Sequence, residues 1–410
     1  MSYDRFKSVS LFKKTSALHL ARFFLIVHTL ALFFSPPLAN LAEFLLWLSF
    51  LLVRGLRSDF VDFFSTRVGR LFLLFIAMLC LGVVVAAFRG FVEYPGVWSW
   101  RKILIFPIAA VLYRHDDQAR WRFAAWFMGA SAVFSVYAIY SWSSGHGGDV
   151  FRNSSSQSVL FATGVAAAGF YALRSHTNPL RITSVIAMII CFSGLAAVTS
   201  GRSGYLGLLI IIATAPFFLA TQYSRLVKAG FAALLVAVTT AVFYLSPVSN
   251  SRIHQALSEF QAPLAAGENT SIGLRKIFWV NTIDMVPKYW LLGAGVTGFG
   301  GAYSKHMAEK ADKKFIPTID PHNQFLRILV EQGVIGLLVF LGLLWALLQL
   351  GTKSMSGALG ASALLAWCAT SLFSAHFTTF VEGRLIWVLM GVFLASHALV
   401  PKIKRSLTSR

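Results

Sequence analysis

The chain has 410 residues, 57% of them hydrophobic and only 13% charged, with a formal net charge of +20. This much apolar surface exceeds what a soluble domain can bury, which excludes a water-soluble enzyme and points to an all-α polytopic membrane protein. Most of the positive charge flanks apolar runs, where it suits anionic lipid headgroups, so no nucleic-acid partner is expected.

Taken in chain order, the candidate spans are 17–35, 37–53, 70–89, 98–113, 121–141, 156–173, 180–199, 203–221, 226–246, 325–350, 356–374 and 384–400. Each is near the roughly 18-residue spanning length, and backbone in hydrocarbon must satisfy its own hydrogen bonds, so about twelve transmembrane helices are expected. The first span is followed at once by Pro36-Pro37 and the second, so it is expected to stay as an anchor rather than be cleaved. The fourth carries Arg101 and Lys102 and is barely long enough, which suggests a tilted, short or interfacial helix. The organisation is therefore nine spans over 1–246, one large polar loop over 247–321, and three spans with a short tail over 322–410. That loop is too long for a plain connection and is expected to be partly helical and functional, with breaks at Pro263, Gly267, Pro287, Gly293 to Gly301 and Pro317.

With a cytoplasmic N-terminus, most Lys and Arg outside the loop fall on the cytoplasmic side, where basic residues are retained. The short segments on the opposite side hold only Arg89, Arg101, Lys102, Arg152, Arg202 and Arg384. Both termini are thus expected in the cytoplasm and the long loop outside. Cys80, Cys191 and Cys368 all lie in candidate spans, so neither a disulfide nor a cysteine-metal framework is indicated.

The charges that break the orientation rule carry the chemistry. Arg202 sits in the tight turn Thr199-Ser200-Gly201-Arg202-Ser203-Gly204 between two apolar helices. It can snorkel to lipid phosphate or clamp a phosphate ligand with its paired donors. Arg275 lies on an amphipathic stretch whose Ile272, Phe278 and Trp279 suit a membrane surface, while the alternating charges from Lys305 to Lys314 read as an ordinary exposed helix. Gly293-Ala294-Gly295-Val296-Thr297-Gly298 matches a dinucleotide-binding pattern, but no βαβ unit surrounds it. Its glycines instead suit a tight turn or close backbone approach. In Asp320-Pro321-His322-Asn323, Asp320 suits a helix N-cap and Pro321 the first turn, which places His322 at the mouth of a helix. There its ring is either a structural hydrogen-bonding group or a neutral proton acceptor. None of the other histidines shows metal-ligand spacing, and no metal or cofactor is expected.

His322-Asn323, then Gly333 and Gly336, resembles the His-Asn…Gly…Gly signature of the bacterial O-antigen ligase (WaaL) family, within the O-antigen ligase and polymerase superfamily. The turn with Ser200 and Arg202 and the loop residues Arg275, Trp279, Pro287, Gly293, Gly295 and Gly298 are similar to other elements of that superfamily. The resemblance implies a C-type glycosyltransferase-like bundle with a large periplasmic loop over the site, in the bacterial inner membrane. It implies an undecaprenyl-diphosphate-linked O-antigen donor and a sugar hydroxyl of lipid A-core as acceptor. It implies His322 as the general base and Arg202 and Arg275 as diphosphate-binding residues. Asn323, Asp320, Arg152 and Arg89 are further candidate supports of the site. Such a transfer is expected to be metal-independent and inverting, because the leaving group is good and arginines can hold its charge. The alternatives are an O-antigen polymerase, a protein O-oligosaccharyltransferase and, from a different class, a lipid or solute transporter. The last should show internal repeats and interrupted helices at the midplane, which the sequence does not display.

Overall fold

Capping side chains and prolines set the helix limits that apolar runs alone leave open. The computed structural model describes residues 2–398 except 93, 152, 220–222, 264–269 and 311–315. In chain order the helices are α1 (Ser2–Ala31), α2 (Pro36–Leu52), α3 (Arg54–Phe64), α4 (Arg67–Phe88), α5 (Tyr94–Ser99), α6 (Ile105–Leu112), α7 (Asp117–Ser143), α8 (Ser154–Arg174) and α9 (Asn178–Ser193). They continue with α10 (Arg202–Leu219), α11 (Arg225–Leu245), α12 (Pro247–Gln261), α13 (Ser271–Tyr289), α14 (Phe299–Ala308), α15 (Gln324–Leu348), α16 (Met355–Thr370) and α17 (Val381–Phe393). No strand occurs among the described residues. Ser35, Thr66, Asp116, Asn153, Ser224, Thr270, Asn323 and Ser354 each cap a helix by accepting a backbone N–H in its first turn.

Seven helices among the described residues are long and apolar enough to cross a membrane: α4, α7, α8, α9 with its extension to Val198, α10, α11 and α15 with its extension to Lys353. α2 and the residues Gly55–Phe64 of α3 make an eighth only as a pair bent by 98°. Ala17–Ala31 of α1 and Met355–Thr370 of α16 are apolar but shorter, and α17 has 13 residues. The expected count of about twelve full-length spans is therefore larger than the number of helices that meet this length. Helix stands at every expected stretch, but several run short.

The fourth stretch shows why. A 3-10 turn over Trp100–Leu104 separates α5 from α6, and all eight residues of α6 are buried. α6 packs along α17, where a side chain at Gly391 would strike the backbone of Phe106. Lys102 donates from Nζ to the carbonyls of Thr378 and Thr379, the latter at 2.9 Å, so its ammonium ties the 3-10 turn to the segment before α17. This stretch is an interrupted helix inside the bundle rather than an interfacial one. Close packing elsewhere rests on small residues: Gly164 faces Ser131, Gly194 faces Ser135 and Gly204 faces Ser158 across neighbouring helices.

The second interruption is in α15, where Gly333 adopts φ 69° and ψ −175°. The break frees carbonyls that an unbroken helix would use, and the glycine-rich loop takes them up. Ala294 donates to Val330 O at 2.7 Å, Gly295 to Glu331 O at 2.9 Å, and Val334 of α15 donates to Trp290 O at 2.7 Å. Val296 in turn donates to Gly82 O of α4 at 2.9 Å. The loop thus docks main chain to main chain, and a side chain on Gly293 or Gly295 would collide with the backbone of α15 or α4. That is the use of the dinucleotide-like glycine pattern. Interrupted helices, not apparent in the sequence, are therefore present, and the break at Gly333 is met by the backbone of the glycine-rich loop.

Above this docking, α13 and α14 form a small core of their own with Val330, built on Phe278, Met285, Tyr289, Phe299, Tyr303 and Met307. Phe278 is therefore a core residue and not a membrane-surface anchor. The helix expected over 305–314 ends at Ala308, with His306 buried against Asp284 at 3.1 Å, and residues 311–315 lie outside the described residues. In ordinary helices Gly→Ala stabilises by about 1 kcal/mol. Gly333→Ala is expected to do the reverse, lowering the unfolding temperature in detergent, because its φ of 69° is strained for alanine and its Cβ would meet Leu291 O.

Candidate functional site

Three helices begin at one end of the bundle and point their N-termini into a single cavity of about 410 Å³. Its walls include Ser154 and Ser155 of α8, Gly201, Arg202 and Ser203 of α10, Thr270, Ser271 and Arg275 of α13, and Arg252, Gln255 and Glu259 of α12. Each helix start brings the positive end of its dipole to the cavity. With Arg202, Arg252 and Arg275 added, the cavity is built to attract an anion, and phosphate in particular.

Local structure explains how Arg202 reaches this position. α9 ends in a π-helical turn over Gly194–Val198. Ala196 O accepts from the hydroxyls of Ser246 and Ser249 at 2.6 Å each, and Gly194 O accepts from the Thr199 hydroxyl at 2.7 Å. Gln157 of α8 donates to Gly148 O at 2.7 Å and to the Thr199 hydroxyl at 3.0 Å, which fixes the turn against the segment before α8. Gly201 and Gly204 press on the backbone of Ser154 and Ser158, an approach that a side chain would block. Gly201 is thus the reason that α8 and α10 present their N-termini side by side.

Arg202 is partly exposed and donates from Nη1 and Nη2 to the Glu259 carboxylate at 3.4 and 3.2 Å, while its Nε is buried without a partner. Arg252 donates from Nε to Ser200 O at 3.1 Å and from Nη1 to Gln255 Oε1 at 2.8 Å. Arg275 makes no ion pair among the described residues. Burial, and then the charge of Arg202, lower its pKa, with Glu259 and Asp320 opposing. A guanidinium stays charged under such pressure, so an anion at this point relieves it.

His322 sits beside the cavity rather than in its wall. Arg275 and Phe278 are three residues apart on one face of α13, and the His322 ring stacks on Phe278 with centroids 6.0 Å apart. The helix start differs from the sequence expectation: Asn323, not Asp320, caps α15, accepting from Phe325 N at 3.0 Å and Leu326 N at 3.1 Å. Asp320 instead accepts the His322 N–H at 2.8 Å, and His322 adopts φ 53°, which keeps it out of the helix. Asp320 also lies 3.8 Å from Arg327 of α15, which pairs with the buried Glu331 at 3.2 Å. Burial lowers the His322 pKa first, Asp320 raises it, and Arg275 lowers it further, with a net downward direction that favours the neutral ring.

Of the remaining sequence candidates, Arg89 is exposed and lies over the Tyr289 ring at 5.3 Å. Tyr289 ends α13, fourteen residues past Arg275 and so about 21 Å of helix away, which separates Arg89 from the cavity. Arg152 lies outside the described residues. Sequence reasoning passed over three residues, Arg252 and Glu259 in the cavity wall and one buried histidine. Arg252 reads as one of many loop charges, and nothing local distinguishes it. His376, between α16 and α17, is 2% exposed, with no partner on either ring nitrogen among the described residues. Burial lowers its pKa, Glu382 opposes, Arg275 lowers it further and Asp320 raises it. Glu382 accepts from the Ser156 hydroxyl at 2.7 Å, and Gln324 N donates to Ser371 O at 2.9 Å, so the start of α17 is tied to α8 and the 371–380 segment to α15. The one available clue was its place in a turn between two spans.

At the opposite end of the bundle the basic residues pair with acids: Arg22 with Asp116 at 2.8 Å, Arg174 with Asp117 at 3.7 Å, and Arg114 with Asp59. Residues 186–341 match the family model described as O-antigen ligase, which supports a place in the O-antigen ligase and polymerase superfamily. The match takes in Arg202, Arg252, Glu259, Arg275, His322, Gly333 and Gly336. No curated protein matches the chain.

The His322 imidazole is expected to titrate below its ordinary value of 6.5. Arg275→Met should move that titration up and Asp320→Asn should move it down, as read by NMR of histidine-labelled protein. A His322 that titrates at 6.5 in all three chains would show that neither charge acts on the ring.

Proposed function

We propose that this chain, with its O-antigen ligase region at 186–341, transfers a glycan from undecaprenyl diphosphate to a sugar hydroxyl of lipid A-core at the periplasmic face of the bacterial inner membrane. The observation that supports this most is the convergence of three helix N-termini and three arginines on one cavity, with a neutral histidine at its edge. The basic, acid-paired end of the bundle is assigned to the cytoplasm on the same reading, and the cavity to the outside.

The chemistry follows from the charges. His322 takes the proton of the acceptor hydroxyl as that oxygen attacks the anomeric carbon. The bond from that carbon to the diphosphate oxygen breaks, and its electron pair leaves with the undecaprenyl diphosphate. The leaving group carries its own stabilised charge and needs no acid. Arg202, Arg252, Arg275 and the N–H groups of α8, α10 and α13 hold the charge that develops on it. These groups supply the positive charge that a metal ion would otherwise bring, so turnover is expected to persist in chelator. Attack opposite the leaving group inverts the anomeric centre. Asn323 and Asp320 serve this step by position: the first starts α15 and the second holds the His322 backbone.

Reconstitution with a lipid-linked glycan and lipid A-core tests the reading. Glycan should appear on the core, with the opposite anomeric configuration, in chelator as in its absence. His322→Ala should lower turnover by about 10²- to 10⁴-fold while leaving the unfolding temperature unchanged. Glycan elongated on its own carrier, with none on the core, would mark a polymerase instead, and movement of lipid-linked glycan across the bilayer without transfer would mark a transporter.

A further inference from the structure

The carboxylate in the cavity wall occupies the donors that a phosphate would use. Glu259, close to the end of α12, accepts from both Nη atoms of Arg202 at 3.4 and 3.2 Å and from the Ile272 N–H at 3.1 Å. Ile272 is in the first turn of α13, so the donor set is a guanidinium fork plus a helix N-terminus, the combination that binds phosphate oxygens. The Glu259 side chain is only 6% exposed, so it cannot rest in solvent as a bystander. The hydrogen bonds from Arg202 and Ile272 lower its pKa against the effect of burial, which keeps it ionised.

We infer that Glu259 is a resident anion that a phosphoryl group must displace from Arg202, which weakens every phosphate ligand at the site and leaves appreciable occupancy only to one whose second phosphoryl group makes further contacts. The inference rests on the reading of this cavity as a diphosphate site. Displacing Glu259 costs an ion pair and leaves a carboxylate without its fork. A single phosphoryl group does little more than replace that pair. Two linked phosphoryl groups can take the Arg202 fork with one and reach Arg252 and Arg275 with the other, and the second set of contacts offsets the loss. The other arginines suit this, since Arg275 is unpaired among the described residues and Arg252 is held only by neutral oxygens.

Calorimetric titration of the full chain in detergent with inorganic pyrophosphate and with inorganic phosphate provides the test. The unaltered chain should bind pyrophosphate at least about tenfold more tightly than phosphate. Glu259→Gln removes a cost common to both ligands, so it should tighten phosphate and pyrophosphate by a similar factor of about ten and leave their ratio unchanged. Arg202→Met combined with Glu259→Gln should abolish that gain, and Glu259→Ala gives the same outcome should the glutamine variant fold poorly. A general charge effect differs, because removing a negative wall favours the more highly charged pyrophosphate and widens the ratio. A widened ratio, or phosphate that binds Glu259→Gln no more tightly than the unaltered chain, overturns the inference and leaves the diphosphate reading standing. Failure of every chain to bind either anion overturns both.

Discussion

Mutual repulsion among like charges is the constraint around which this protein is organised. Two unit charges about 6 Å apart interact by roughly 3 kcal/mol at an effective dielectric near 20, and here guanidinium groups and helix dipoles of the same sign face one cavity. Such a cluster would relax apart unless the backbone beneath it were fixed. The fixing elements are plain in the structure: a π-helical turn and Gly201 below Arg202, the Thr270 cap below Arg275, and the Ser200 carbonyl on Arg252. Glu259 offsets part of the repulsion from within. The loop core of α13 and α14 and its main-chain docking into the break of α15 then hold α13 over the bundle, so Arg275 cannot swing away.

Much of this frame was legible in the sequence because spanning length, apolar composition and capping residues are local properties. The long helices α4, α7, α8, α10, α11 and α15 follow the apolar runs closely. What was not legible depends on tertiary contact. Residues 98–113 read as one weak span, but the 3-10 turn at Trp100–Leu104 breaks it, because Lys102 finds carbonyl partners 276 and 277 residues away. The glycines at 293–298 announced a tight backbone approach without saying that the partner was the main chain of α4 and α15.

The site divides along the same line. Arg202 stood out because a charge in a short turn between spans is rare, and His322 because it follows a capping pattern, although the cap proved to be Asn323. Arg275 sits among residues expected at a membrane surface, yet Phe278 packs inward and brings His322 to the same face. Arg252, Glu259 and His376 carry no local signature. Each acquires meaning only from a neighbour far along the chain: Ser200 for Arg252, Arg202 for Glu259, and the Arg275 and Asp320 charges for His376.

One consequence joins the two halves of the site. Arg275 belongs to the cavity wall and also lowers the pKa of His322. On the proposed reading, a diphosphate that arrives in the cavity offsets the field of Arg275, and the His322 pKa rises from its depressed value. The ring then becomes a stronger proton acceptor when the donor is in place and a weaker one when it is absent. Asp320 holds the ring near this field through the His322 N–H and works in the same direction as the incoming anion. A single guanidinium between the phosphate site and the base can thus link donor occupancy to basicity, with no movement of the helices that carry them.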